Sequence, residues 1–192
     1  MKRFALIMID MQRGFLDPAS PLCIPSAAAT VPACAEVIRF CHEKNVPVFY
    51  TTRHYRADGS DVEKCRRAVW LAGGKPLSEE CEACMSDAYP EEFEVRESDY
   101  RIVKPRFSGF FGTPLDLILR RLGVNTVILA GTTTPNCIRT SCYDALSLDY
   151  DAIVLSDCTS SVTEEVQRAN LGDMERIGAQ IETVEGLRAL LG

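Results

Sequence analysis

Histidine is scarce in this chain: His42 and His54 are the only two in 192 residues. Cys81 and Cys84 form a Cys-x-x-Cys pair, but no second pair exists and two histidines leave a four-ligand zinc site unfilled. Neither a metal nor another cofactor is expected. No apolar run is long enough to cross a membrane. The apolar stretch Phe4 to Ile9 follows Met-Lys-Arg like the start of a signal peptide, yet it stops at Asp10, so it reads as a strand. Basic charge is in deficit, 21 Lys and Arg against 27 Asp and Glu, giving a net charge of −6. That balance argues against nucleic acid as a partner, while leaving room for a small anion held by a local arginine. Internal repeats and low-complexity tracts are absent. The nine cysteines are odd in number and irregularly spaced, which indicates reduced thiols and a cytoplasmic setting.

What is present is the composition of an ordinary globular protein, 46% hydrophobic and 25% charged. The length suits a single domain spanning 1–192. Strand patterns fall at 3–9, 46–52, 99–103, 126–130, 151–155 and 180–184. Helical patterns fall at 31–44, 62–71, 114–122, from 135 past Leu148, 163–177 and 185–191. The segments 11–25 and 73–97 read as irregular, the second with one helical turn near Glu80. Asp157 to Ser161 reads as a turn. The expected architecture is α/β: a three-layer, Rossmann-like fold with a six-stranded, mainly parallel sheet and helices on both faces.

The chain is organised around residues 124–148. Thr126 to Ala130 is β-branched and apolar without alternation, as in a strand covered on both faces. Gly131 ends that strand, three threonines follow, and Pro135 takes the first position of a helix. Cys137 then falls in the helix's first turn. Unpaired N–H groups and the macrodipole there favour a thiolate and can hold an oxyanion. An inert buried cysteine and a phosphate-binding turn are the competing readings.

In a parallel sheet ligands gather at the carboxyl ends of the strands. Asp10, Lys104 and Cys137 all fall at or just beyond such ends, so an acid, a cation and a nucleophile face one crevice. Asp10 can take the thiol proton and Lys104 can stabilise the thiolate. Neither histidine is placed for the base role.

Asp-Met-Gln-Arg-Gly-Phe (10–15), Lys-Pro-Arg-Phe-Ser-Gly-Phe (104–110) and Gly-Thr-Thr-Thr-Pro-Asn-Cys (131–137) resemble the isochorismatase-like cysteine hydrolases. The similarity continues through Thr140, Asp144-Ala145 and Ser156-Asp157-Cys158. It implies a catalytic triad of Asp10, Lys104 and Cys137. It also implies a cis peptide at Thr132–Thr133 that brings the Thr133 N–H into an oxyanion hole with the Cys137 N–H. The implied reaction is hydrolysis of the C–N bond of a small amide, ureide or carbamoyl compound through a thioester. A vinyl-ether hydrolase and a non-catalytic small-molecule binder on the same scaffold are the alternatives. The nicotinamidases of this superfamily carry a metal site after the second strand, but Arg53-His54-Tyr55-Arg56 lacks its aspartate. The run 133–139 is most similar to the N-carbamoylsarcosine amidase branch, whose carboxylate-bearing substrates suit an arginine clamp. Arg53, Arg56, Arg106 and Arg139 are candidates for it. Phe15, Trp70, Phe107, Phe110 and Phe111 are candidates for pocket walls, and His54 for orienting a substrate. Relatives of this kind imply a homo-oligomer, a dimer or tetramer.

Overall fold

The computed structural model describes residues 2–192. A six-stranded sheet in the order β3-β2-β1-β4-β5-β6 forms its centre, and every pairing is parallel. The strands are β1 (Phe4–Ile9), β2 (Val48–Thr52), β3 (Tyr100–Val103), β4 (Thr126–Thr132), β5 (Asp151–Ser160) and β6 (Gln180–Glu182). The helices are α1 (Arg13–Leu16), α2 (Val31–Glu43), α3 (Arg67–Ala72), α4 (Leu115–Arg121), α5 (Arg139–Ser147), α6 (Glu164–Arg176) and α7 (Val184–Leu191). Strand order reverses between β1 and β4, which puts a crevice at their carboxyl ends.

Both faces of the sheet are covered, and that is why its central strands do not alternate. Ala5, Ile7 and Ile9 of β1 join Val127 and Leu129 of β4 in one apolar cluster with Leu115, Leu119, Cys142 and Met174 from α4, α5 and α6. Leu6, Met8, Ile128 and Ala130 face the other way, onto Cys34, Val37, Ile38 and Cys41 of α2 and Leu187 of α7. Val31, Cys34, Val37, Ile38 and Cys41, which recur at helical spacing, form the buried inner stripe of α2.

Several boundaries differ from the pattern reading, each for a tertiary reason. Residues 13–16 form one helical turn within the expected loop, held by Arg13 and Gly14 N–H bonds to the carbonyls of Ala88 and Ser86. The third helix begins at Arg67, not Val62. Asp61 accepts the Arg56 N–H at 3.0 Å, and Val62 and Glu63 turn inward. The helical turn expected near Glu80 lies at Ala83–Met85. β4 runs through Gly131 to Thr132, and β5 runs on to Ser160 where a turn was expected. A register shift between Leu129 and Gly131 lets the polar end of β5 continue beside β4, with Gly131 opposite Thr159 and Thr132 opposite Ser160.

Gly131 is required where it stands. Its φ is +113°, and a Cβ added to it would overlap the backbone of Ile9 on the neighbouring strand. Gly131→Ala is therefore expected to destabilise the protein by more than about 4 kcal/mol in urea unfolding. A loss below 1 kcal/mol would show that β1 and β4 can separate at no cost.

Candidate active site

The crevice holds four buried charges. Asp10, Arg53, Glu63 and Lys104 are 1%, 0%, 3% and 1% exposed. Asp10 follows β1 with φ 53°, a left-handed turn that aspartate tolerates better than most residues. Its backbone N–H donates to Thr51 on β2 at 2.9 Å. Lys104 follows β3 and places Nζ 2.8 Å from Asp10 Oδ2. The same ammonium donates to the carbonyls of Arg106 at 3.2 Å and Phe107 at 3.1 Å, so its direction is set by backbone.

Arg53 follows β2 and closes the ring of charge. Its Nε lies 4.0 Å from Asp10 Oδ2, and Nη1 pairs with Glu63 and donates to the Tyr55 hydroxyl at 3.3 Å. Tyr55 in turn donates to the second Glu63 oxygen at 2.7 Å. Burial alone would raise the Glu63 carboxyl, but Arg53 and the Tyr55 hydroxyl hold it below its ordinary value. Gln12 fastens the two strand ends, accepting the Arg53 N–H at 2.7 Å and donating to the Arg53 carbonyl at 2.8 Å.

Cys137 stands opposite, 3% exposed, in a wide turn of π-helical geometry at Thr134–Ile138 that leads into α5. The preceding Thr132–Thr133 peptide is cis. The N–H groups of Asn136 and Ile138 both donate to the Thr133 carbonyl, at 3.1 and 3.3 Å. The hydroxyls of Thr133 and Thr134 each donate to the Ser160 carbonyl at 3.0 Å, which fixes the turn to the extended end of β5. Ser141 donates to the Cys137 carbonyl at 2.6 Å and accepts the Gly109 N–H at 2.9 Å, so the 104–110 loop is tied to the same helix.

The thiol differs from the expectation drawn from its address. Burial pushes Cys137 up from the ordinary thiol value, and the Asp10 carboxylate beside it adds to the rise; Lys104 and Arg53 oppose it without reversing it. The site thus disfavours the thiolate of Cys137.

Asp10 and Cys137 line one cavity of about 230 Å³ with Thr132, Thr133, Asn136 and Phe15. Pro21, Leu22, Cys23 and Ile24 form another wall, and Arg66 completes it. This is smaller than the roughly 300–1,000 Å³ of drug-sized sites.

The other residues singled out from sequence scatter. Arg53 is enclosed behind Asp10 rather than in the cavity wall. His54 points to Asp87, 2.9 Å away at the surface. Trp70 is 1% exposed, donates to the Pro76 carbonyl at 2.8 Å and packs edge-on against Tyr55. Arg106 donates to the Asp61 carbonyl at 3.1 Å, and exposed Arg56 lies 3.6 Å from Asp58. Arg139 turns to α6, bonding Asn170 at 2.9 Å and Asp173 at 3.3 Å. Phe107 lies under the guanidiniums of Arg53 and Arg66 rather than in the wall. Phe110 is core, and Phe111 is 63% exposed. Gln12, Tyr55, Glu63 and Arg66 were not foreseen. Gln12 lies within the 10–15 motif, but nothing in the sequence marked its role or those of Tyr55, Glu63 and Arg66.

Comparison with known proteins agrees with this architecture. The Isochorismatase domain family matches residues 4–186. An isochorismatase family protein from Desulfovibrio vulgaris superposes with a TM-score of 0.92 at 36% identity, covering 100% of this chain and 99% of that one. A probable inactive nicotinamidase of Arabidopsis thaliana is 34% identical, over 94% of this chain and 92% of its own length. A maleamate amidohydrolase of Pseudomonas putida is 32% identical, over 98% of this chain and 88% of its own length. With its sheet order, its crevice and most of its length accounted for in this way, the chain belongs to the isochorismatase family.

Proposed function

We propose that this chain is a cysteine hydrolase cleaving the C–N bond of a small amide or ureide, with Cys137 as nucleophile, Asp10 as proton carrier and Lys104 as the fixed cation. The observation that carries this reading is the meeting of a thiol and a lysine-paired carboxylate, Nζ to Oδ2 2.8 Å, at one small cavity. Cys137 Sγ attacks the carbonyl carbon while its proton passes to Asp10. The tetrahedral oxyanion is received by the backbone N–H groups of Thr133 and Cys137. The C–N bond breaks as Asp10 returns the proton to the nitrogen, releasing ammonia or an amine and leaving a thioester. Water then attacks the thioester, giving its proton to Asp10. The C–S bond breaks, the thiol is re-formed with that proton, and the acid leaves.

A resting neutral thiol suits this sequence, because the proton moves only when a carbonyl is in place. Lys104 holds the Asp10 carboxyl group in place, Nζ to Oδ2 2.8 Å. The amidohydrolase name of the Pseudomonas relative supports the amide class. The word inactive belongs to the Arabidopsis relative, and it favours a second reading, a binder without turnover. The complete set of Asp10, Lys104 and Cys137 favours turnover. A retained thiol likewise favours amide over vinyl-ether chemistry.

We also infer a homo-oligomer in a reducing, cytoplasmic setting. Val103 on edge strand β3, with Phe111 and Leu117 following, exposes apolar side chains, and all nine cysteines are free.

Cys137→Ala is expected to lower ammonia release from a responsive small amide by at least about 10⁴-fold, and Asp10→Asn by about 10²–10⁴-fold. Activity within tenfold of the parent in the alanine variant removes Cys137 from the chemistry. Because the thiol is raised, its thiolate is a minor form at neutral pH. Alkylation of free Cys137 by iodoacetamide should climb about tenfold per pH unit and continue past pH 9. A plateau below pH 8 would mean an acidic thiol. Size-exclusion chromatography with light scattering should give a multiple of the chain mass; a monomer at micromolar concentration refutes self-association.

A further inference from the structure

The Lys104 ammonium directs its donors to Asp10 Oδ2 and to the carbonyls of Arg106 and Phe107. A second cation approaches the same oxygen, with Arg53 Nε 4.0 Å from Oδ2. Among the described residues, nothing donates a hydrogen bond to buried Asp10 Oδ1. Arg53 is restrained from several directions. Glu63 and the Tyr55 hydroxyl take its Nη1, the Phe107 ring centre lies 5.3 Å from the guanidinium, and Gln12 bonds both its N–H and its carbonyl. Arg53 Nε and Nη2, a fork of donors that suits a carboxylate, are buried and make no hydrogen bond among the described residues. Burial works against the Arg53 charge, and Asp10 leads the anions that restore it. On the Cys137 thiol, which burial and Asp10 push up, Lys104 and then Arg53 pull the other way. Neither Arg53, Tyr55 nor Glu63 lines the cavity; Cys23 and Arg66 are the other ionisable groups in its wall.

We propose that Arg53 and Glu63 are positioning residues of the reaction, acting on Asp10 and Cys137 from outside the cavity. Arg53 and Lys104 hold Asp10 Oδ2, so Oδ1 is the oxygen that takes the Cys137 proton. Glu63 keeps Arg53 from reaching Oδ1. This rests on the hydrolase reading of Cys137. A free guanidinium beside a carboxylate closes on both oxygens at once, and that would occupy the acceptor the thiol needs. Because Glu63 is a competing anion, it leaves the positive charge of Arg53 near Cys137 while denying it the two-oxygen grip. Tyr55 strengthens the hold by bonding Arg53 and Glu63 together.

The test follows alkylation of Cys137 by iodoacetamide, read on the Cys137 peptide by mass spectrometry, in Arg53→Gln, Glu63→Gln and the double variant. Arg53→Gln should slow alkylation near neutral pH about tenfold, the equivalent of one unit of thiol acidity. Loosened packing would expose the thiol and speed it instead. Glu63→Gln releases the Arg53 charge and should speed alkylation at least about threefold, but by less than about twofold when Arg53 is already Gln. Glu63 also attracts Arg66. An equal gain in both backgrounds would assign the effect to Arg66 and overturn the proposal, as would Arg53→Gln that alkylates no more slowly than the parent. Breaking a buried pair is destabilising. The double variant leaves no unpaired charge, so it reads the loss of Arg53 where that single variant fails to fold. Tyr55→Phe likewise unpairs no charge and should act like Glu63→Gln by a smaller factor. Ammonia release from acetamide, malonamide, succinamide and nicotinamide is scored separately. On an amide the parent hydrolyses, Arg53→Gln and Glu63→Gln should each lower kcat about 10- to 100-fold with KM changed less than about threefold. Unchanged kcat refutes the positioning role. Alkylation shifts as stated, without ammonia release from any of these amides, count against the hydrolase reading and leave the Arg53–Glu63 arrangement standing. Release by the parent with no alkylation shift in the variants does the reverse.

Discussion

An aspartate and a lysine held 2.8 Å apart, almost without water, are the constraint on which the site depends. Isolated, either charge would be costly to bury; together they are stable only if the surrounding backbone supplies the remaining hydrogen bonds. It does so for the ammonium through the carbonyls of residues 106 and 107, and Arg53 approaches the carboxylate from behind. Arg53 then needs its own anion, which is why Glu63 and Tyr55 are drawn inward and why the third helix starts late. One buried ion pair thus dictates the course of the chain from residue 53 to 67.

The sheet makes this arrangement possible. Parallel strands deliver their carboxyl ends to one edge, so residues 10, 53, 104 and 137 meet there although they are far apart in sequence. The packing that holds the strands is apolar on both faces, and it leaves polar groups only where the strands end. Gly131 and the extended end of β5 refine that edge. The glycine lets β4 pass close to Ile9, and Ser160 gives the threonine turn a carbonyl to hold.

The thiol illustrates two electrostatic effects in opposition. A helix start favours an anion, but that effect is worth about 0.3–1 kcal/mol and is confined to the first turn. Removing a thiolate from water beside an existing carboxylate is a larger effect, and the two cations offset only part of it. A site built this way disfavours a thiolate at Cys137. Charge balance, rather than an acidic nucleophile, is the organising property of the pocket.

Periodicity and punctuation in the sequence were enough for the parallel sheet, most of its helices and the three residue types at strand ends, because burial on both faces leaves long non-alternating apolar runs and strand ends follow directly from where those runs stop. Gln12, Tyr55, Glu63 and Arg66 were not legible in the same way. Their positions carry no period, and what each does depends on which strand end it meets across the crevice. The arginines show the difference most plainly. Arg53, Arg106, Arg139 and Arg66 look alike as letters, and only the fold decides that Glu63 neutralises the first, surface loops and α6 occupy the next two, and the last is left facing the cavity. The sequence by itself determined the layers and the chemical inventory; the tertiary structure decided which charges were already paired, because pairing is a matter of distance between segments that share no local pattern.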